Sequence, residues 1–185
     1  LIGNGFHAAH KRLEDAREFV ASFARPELQL CAERKSGKGR KRVMELVKER
    51  PGVSGVIYVG SRDGADELAT ALNAEGIAAL AYHAGLDKRI RAQRLEQFLA
   101  ADACVMVATI AFGMGVDKPD VRFVIHADPP SSIEAYWQEI GRAGRDGAPA
   151  DGVTLYGASD MAWALRRIEG RDMEDGVKQV QARKV

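Results

Sequence analysis

From Ser54 onward, short apolar runs alternate with amphipathic stretches. A chain shows this alternation when parallel strands are joined by helical crossovers, so it constrains the fold more than any other feature here. Residues 56–59, 77–82, 104–108, 123–126 and 153–156 read as buried strands, and 28–31 as an edge strand. Helices are expected over about 38–49, 63–74, 87–99, 131–145 and 159–168. In the second of these, Ala65, Leu68, Ala69 and Leu72 form one apolar stripe at helical spacing, as a helix lying on a sheet requires. The fold class is α/β, with a mainly parallel central sheet and helices on both faces. Residues 1–21 fit the alternation poorly and read as a lead-in. Residues 171–185 are charged, lack large apolar groups, and read as an exit linker or tail.

The chain's 185 residues are enough for one sizeable core, and its net charge of +1 does not announce a polyanionic partner. Any nucleic-acid affinity must come from local clusters. Cys31 and Cys104 lie far apart and outside any CxxC pairing, which points away from zinc and disulfides and toward a reducing compartment. Residues 1–6 are too short and glycine-rich for a signal peptide, and no apolar run reaches bilayer-spanning length. The expectation is a soluble cytoplasmic protein of a bacterial-type cytosol or nucleoid, with no membrane partner. Because the chain opens on Leu rather than Met, it also reads as a fragment of something longer.

The densest chemistry lies in IEAYWQEIGRAGRDG, residues 133–147. As a helix it groups Ile133, Trp137, Ile140 and Gly144 in one sector and sets Gln138, Arg142 and Arg145 on the opposite face, away from the core. A guanidinium fork suits phosphate oxygens. Solvated surface is the competing reading for any exposed arginine pair. Gly141 and Gly144 favour the functional one, because each costs roughly 1 kcal/mol in a helix interior and close approach of a ligand or backbone would offset it.

Upstream, VATIAFGMGVDKP (residues 107–119) follows a predicted strand. Ligands bind at strand C-terminal ends in open α/β sheets, and Gly113 and Gly115 would let backbone N–H groups approach a phosphate. Taken alone, the pattern also fits a plain glycine turn. GVIYVGSR (55–62) and AYHAGL (81–86) likewise put polar groups just past strands. His83 by itself reads more readily as a tucked, hydrogen-bonded strand-end histidine than as a ligand contact.

In this order and spacing, the four strings resemble motifs IV, IVa, V and VI of the RecQ family of superfamily 2 helicases. The similarity runs over about 22–170. It begins at SFARP (22–26), which is similar to the segment joining the two RecQ motor lobes, with Ala24 in place of the usual acidic residue. It continues through DKPDVRFVIHADPP (117–130) and the DMAW segment at 160–163. The resemblance implies a three-layer RecA-like domain, the second motor lobe of an ATP-dependent 3′-to-5′ DNA helicase. By the same resemblance Arg145 is the arginine finger and Arg142 its catalytic neighbour. Gln138, Asp117 and Gly115 join them in binding ATP, and Ser61, Arg62, His83, Gly85, Thr109, Phe112 and Gly113 touch single-stranded or partly duplex DNA. ATP with Mg²⁺ would be shared with a first RecA-like lobe, and no zinc would be held here. The alternatives are a DEAD-box-like RNA helicase lobe and a non-catalytic nucleic-acid-binding module.

A complete motor also needs a GxxxxGK[ST] P-loop and an acidic magnesium motif, and neither is present. Ser36-Gly37-Lys38-Gly39 imitates a P-loop, but Gly39 stands where Ser or Thr would bind magnesium. On that basis the chain alone is expected to be inactive. Residues 34–50 carry eight basic side chains against Glu45 and Glu49. Such a run is either a DNA-facing patch or a solvated helix face, and no aromatic residue interleaves it for base stacking.

Overall fold

A computed structural model describes residues 25–37, 39–113, 116–158, 160 and 162. The elements in chain order are β1 (Leu28–Arg34), α1 (Arg40–Lys48), β2 (Ser54–Tyr58), α2 (Arg62–Ala74), β3 (Ala79–Tyr82), α3 (Lys88–Ala100), β4 (Val105–Ala108), β5 (Val121–His126), α4 (Ile133–Ile140) and β6 (Ala150–Tyr156). They build one six-stranded sheet in the order β1-β6-β5-β2-β4-β3. Every pairing is parallel. The lead-in at 1–21, the tail at 171–185 and nearly all of the helix expected at 159–168 lie outside the described residues.

Strand residues alternate between two cores. Ile57, Val105, Val107, Phe123, Ile125, Val153 and Leu155 face α1 and α2, where the stripe Ala65, Leu68, Ala69 and Leu72 is buried. Val56, Tyr58, Met106, Ala108 and Val124 face the other way, against Phe98 of α3, Phe112 and Ala143. A parallel sheet is stable only when both faces are covered, which is why its strands read as continuous apolar runs. Gly55 is required inside β2: it pairs with Phe123 in register, and a Cβ there would lie inside the van der Waals surface of three atoms of that ring.

Several boundaries differ from expectation. β5 and β6 begin two and three residues earlier than the apolar pattern suggests, because Val121 and Ala150 already lie in the ladder region. β3 begins at Ala79 rather than Ile77. The largest correction concerns α4, which ends at Ile140 rather than continuing to Arg145, with Gly141 as its cap. Gly144 then adopts φ +63°, a left-handed conformation that costs an L side chain about 1–2 kcal/mol.

The edge strand β3 has most of its outward backbone groups occupied. The Asn73 amide exchanges two hydrogen bonds with the backbone of Ala79 (2.8 and 3.1 Å), and Arg94 donates to the Ala81 carbonyl at 2.7 Å.

Candidate nucleotide and nucleic-acid face

All the loops singled out by sequence emerge at the C-terminal ends of β2, β3, β4 and β5, or join them from α4. Because α4 stops at Ile140, Gln138, Arg142 and Arg145 do not share one helical face. Gln138 is exposed on α4. Arg142 turns inward and is only 9% exposed: its Nε donates to the Tyr58 hydroxyl at 2.8 Å, and its guanidinium lies 5.8 Å from the centre of the Phe112 ring. Arg145 turns outward. It donates to the carbonyls of Gly141 (3.2 Å) and Val116 (3.0 Å) and to the Asp117 carboxylate at 2.9 Å. Ile133 and Trp137, expected in the core sector, are 45% and 50% exposed, and of that group only Ile140 and Gly144 are buried.

The 141–147 loop is pinned from three further directions. Gly144 N–H donates to Val121 O at 3.0 Å. Arg25 reaches 118 residues along the chain to donate to the carbonyls of Ala143 (2.9 Å) and Gly144 (3.3 Å), while also pairing with Glu27. Arg122 gathers Pro119 O, Asp120 O, Pro149 O and the Asp146 carboxylate. The Arg122 guanidinium beside Asp146 holds that carboxyl below its ordinary value.

Thr109 begins the loop after β4; its N–H donates to Tyr82 O and its carbonyl accepts from Phe112 N–H. Phe112 requires a correction. Its ring is 1% exposed and packs edge-on against Tyr82 and Phe98, so it anchors the loop in the core and offers no stacking face. A Cβ on Gly113 would come within 3.9 Å of an Arg142 guanidinium nitrogen. Gly115 lies outside the described residues.

On the neighbouring loops, the Ser61 hydroxyl caps α2 by accepting from Gly64 N–H at 3.0 Å. Arg62 is exposed. His83 is tucked, as the plainer reading expected: it is 4% exposed and its Nε2 lies 3.0 Å from Asp66. Its Nδ1, buried without a partner, lies against Gly85, where any side chain would crowd both His83 and Arg62.

Sequence reasoning missed the clasp beneath these loops. The buried Lys35 ammonium donates to Ala127 O (2.7 Å) and Asp128 (2.9 Å) and pairs with Asp160 at 3.2 Å. The second Asp128 oxygen accepts from Gly60 N–H at 2.8 Å, and Asp160 accepts from Gly157 N–H at 2.8 Å. One lysine thus ties the ends of β1, β2, β5 and β6 together. Lys35→Met keeps most of the volume but removes these charge-assisted bonds. It is expected to destabilise the chain by about 1–3 kcal/mol, read as a lower urea midpoint at unchanged m value.

Most of the basic run beside it is neutralised. Lys35, Arg40, Arg42, Lys48 and Arg50 pair respectively with Asp128, Glu67, Glu33, Glu75 and Asp151, all from outside the run. These acids bring the local charge excess close to balance.

The sheet order and the cluster of loops at its C-terminal ends define a RecA-like α/β lobe. Residues 38–147 match the family described as helicase conserved C-terminal domain. The chain is 40% identical over 176 residues to the ATP-dependent DNA helicase RecQ of Haemophilus influenzae, a match covering 95% of this chain and 28% of that protein. It is 41% identical over 170 residues to the RecQ-like DNA helicase blm-1 of Caenorhabditis elegans, covering 91% of this chain and 17% of that protein. Among solved structures, the E. coli DEAD-box protein SrmB, in its complex with regulator of ribonuclease activity A, matches with TM-score 0.63 and 27% identity, covering 79% of this chain and 85% of that one. The chain belongs to the helicase conserved C-terminal domain family and is a C-terminal lobe of the RecQ type. It spans under a third of the length of these curated RecQ relatives.

Proposed function

We propose that this lobe is the second half of an ATP-driven 3′-to-5′ DNA motor, supplying an arginine finger, Arg145, to a nucleotide held by a first lobe. The observation that carries the reading is the pairing of Arg145 with Asp117 across 28 positions, on a loop otherwise fastened to the core. The Asp117 side chain is 84% exposed. A surface ion pair of this kind is worth at most about 1 kcal/mol, so a phosphoryl group arriving in the cleft can compete for the guanidinium. The donors of this lobe suit phosphate oxygens, while the P-loop and the acidic residues that hold Mg²⁺ would come from the first lobe. Gln138, Asp117 and Gly115 would line the nucleotide side. Arg142 would act from behind the cleft wall.

Ser61, Arg62, His83, Gly85, Thr109 and Gly113 would line the strand track, through backbone N–H groups and the Arg62 guanidinium. Phe112 would contribute its loop's shape. Closure of the two lobes on ATP would shift this track along the strand and couple hydrolysis to translocation.

Purified as a single lobe, the chain should hydrolyse ATP no faster than buffer does. DNA-stimulated turnover that disappears in Arg145→Ala would overturn the half-motor reading. With the first lobe restored, duplexes carrying a 3′ single-stranded tail should be unwound and 5′-tailed ones left intact, and the opposite preference would sink the polarity. Competition between single-stranded DNA and RNA separates this reading from a DEAD-box-like RNA lobe: the RNA competitor should displace DNA poorly.

A further inference from the structure

The Tyr58 hydroxyl is committed on both sides. It accepts from Arg142 Nε at 2.8 Å and donates to the Phe112 carbonyl at 3.1 Å. The two partners belong to different loops, one carrying the outward Arg145 and the other carrying Thr109 and Gly113. The ring itself cannot give way. It is 4% exposed, stacks on His126 with centroids 5.5 Å apart, and stands at the end of a central strand whose last carbonyl accepts from Ala127 N–H. His126 is held in turn. Its Nε2 lies 2.9 Å from Glu139 of α4 and its Nδ1 lies 3.3 Å from the Thr154 hydroxyl. Burial pushes the Tyr58 hydroxyl's pKa up, so it keeps its proton across the physiological range.

We propose that Tyr58 is a positioning residue that couples the Arg145 loop to the strand-track loop, with Arg142 as its lever rather than as a ligand of the nucleotide. This rests on the reading of Arg145 as the arginine finger. A hydroxyl with one proton and a rigid ring cannot follow Arg142 without releasing Phe112 O, nor follow the track loop without releasing Arg142. The fixed hydroxyl is therefore a common tether that sets the position of each loop relative to the other. Arg142, buried and seated on the Phe112 ring, has no second acceptor in the described contacts to replace the hydroxyl.

The test uses a helicase carrying both lobes and the variant Tyr58→Phe, which keeps the ring and removes only the hydroxyl. DNA-stimulated kcat should fall roughly tenfold, the scale of one lost hydrogen bond to a charged group. KM for ATP and Kd for single-stranded DNA should stay within about twofold, a split that general loosening of the fold would not produce. In an Arg142→Lys background, Tyr58→Phe should cause a smaller loss than in the unmodified enzyme, because the Arg142 Nε bond to the hydroxyl is already gone and only the bond to Phe112 O remains to be lost. A kcat within twofold of the unmodified enzyme, or losses that multiply in the double variant, would overturn the proposal. Arg145→Ala in the same preparation separates the two readings. If it leaves turnover intact, the arginine finger assignment fails; if it abolishes turnover while Tyr58→Phe does nothing, only the coupling role fails.

Discussion

In an enzyme that carries both lobes, Arg145→Ala is expected to lower kcat for DNA-stimulated ATP hydrolysis by roughly 10³-fold or more, with KM for ATP changed only a few-fold. The large effect falls on kcat because charge builds on the transferring phosphoryl group in the transition state, and a guanidinium aimed there acts mainly at that point. In the proposed role, Arg145 would be helped by how little holds its far end. Its Nε is fixed to Gly141 O, while Nη1 rests on Val116 O and on a carboxylate that faces water. Arg145→Lys keeps the charge but loses the planar fork, so it should recover only a small part of the rate. A fall of less than tenfold in Arg145→Ala, in protein whose melting temperature matches the unmodified enzyme, would remove Arg145 from the chemistry. Arg122→Ala serves as a comparison, since Arg122 steadies the same loop through Asp146 and three carbonyls.

The second large effect concerns folding. Gly55→Ala should destabilise the chain by about 3 kcal/mol, at the upper end of the cost of overpacking a core, and the urea midpoint should fall accordingly. The Phe123 ring lies directly over the Gly55 Cα, in a fully buried site bounded by paired strands, so neither partner has somewhere to move. Gly52→Ala is the informative contrast. Gly52 has φ +71° with open space around it, so alanine there meets only backbone strain, about 1 kcal/mol. If the two substitutions cost the same, or if Gly55→Ala costs less than 1 kcal/mol, space in the core is not what holds glycine at position 55.

The strands were legible in the sequence because burial on both faces removes polar residues from them, leaving runs such as 104–108 that carry no ambiguity. The stripe on α2 was legible for the complementary reason: one face packs and the other does not. The end of α4 was hidden. Apolar spacing through Ile133, Trp137, Ile140 and Gly144 continues smoothly past the point where the helix stops, and glycine signals a break without saying whether the chain uses it. The consequence reached the site, since it separated Arg142 from Arg145 and sent one inward. His83 and Phe112 show the same limit. A residue type at a strand end tells which loop it occupies, while whether its ring faces solvent or core depends on Asp66, Tyr82 and Phe98, which are distant in sequence. The Lys35 clasp had no local signal at all, because its partners lie 92 or more positions away. The pairing of the basic run was hidden for that reason too, as the acids that neutralise much of it come from other elements.

The side chains covering β3 bear on how copies of this protein meet while folding. A parallel sheet assembles slowly and exposes unpaired strands as it does so. With Asn73 occupying both backbone groups of Ala79, and Arg94 on Ala81 O, a foreign strand arriving at β3 must first strip out hydrogen bonds already made. The opposite border, β1, has the outward Leu28 N–H tied to Arg25 O at its start and ends in Glu33 and Arg34. The native fold thereby opposes pairing at β3 more strongly than at β1, and a β3-to-β3 ribbon between two copies would have to displace these bonds on both sides.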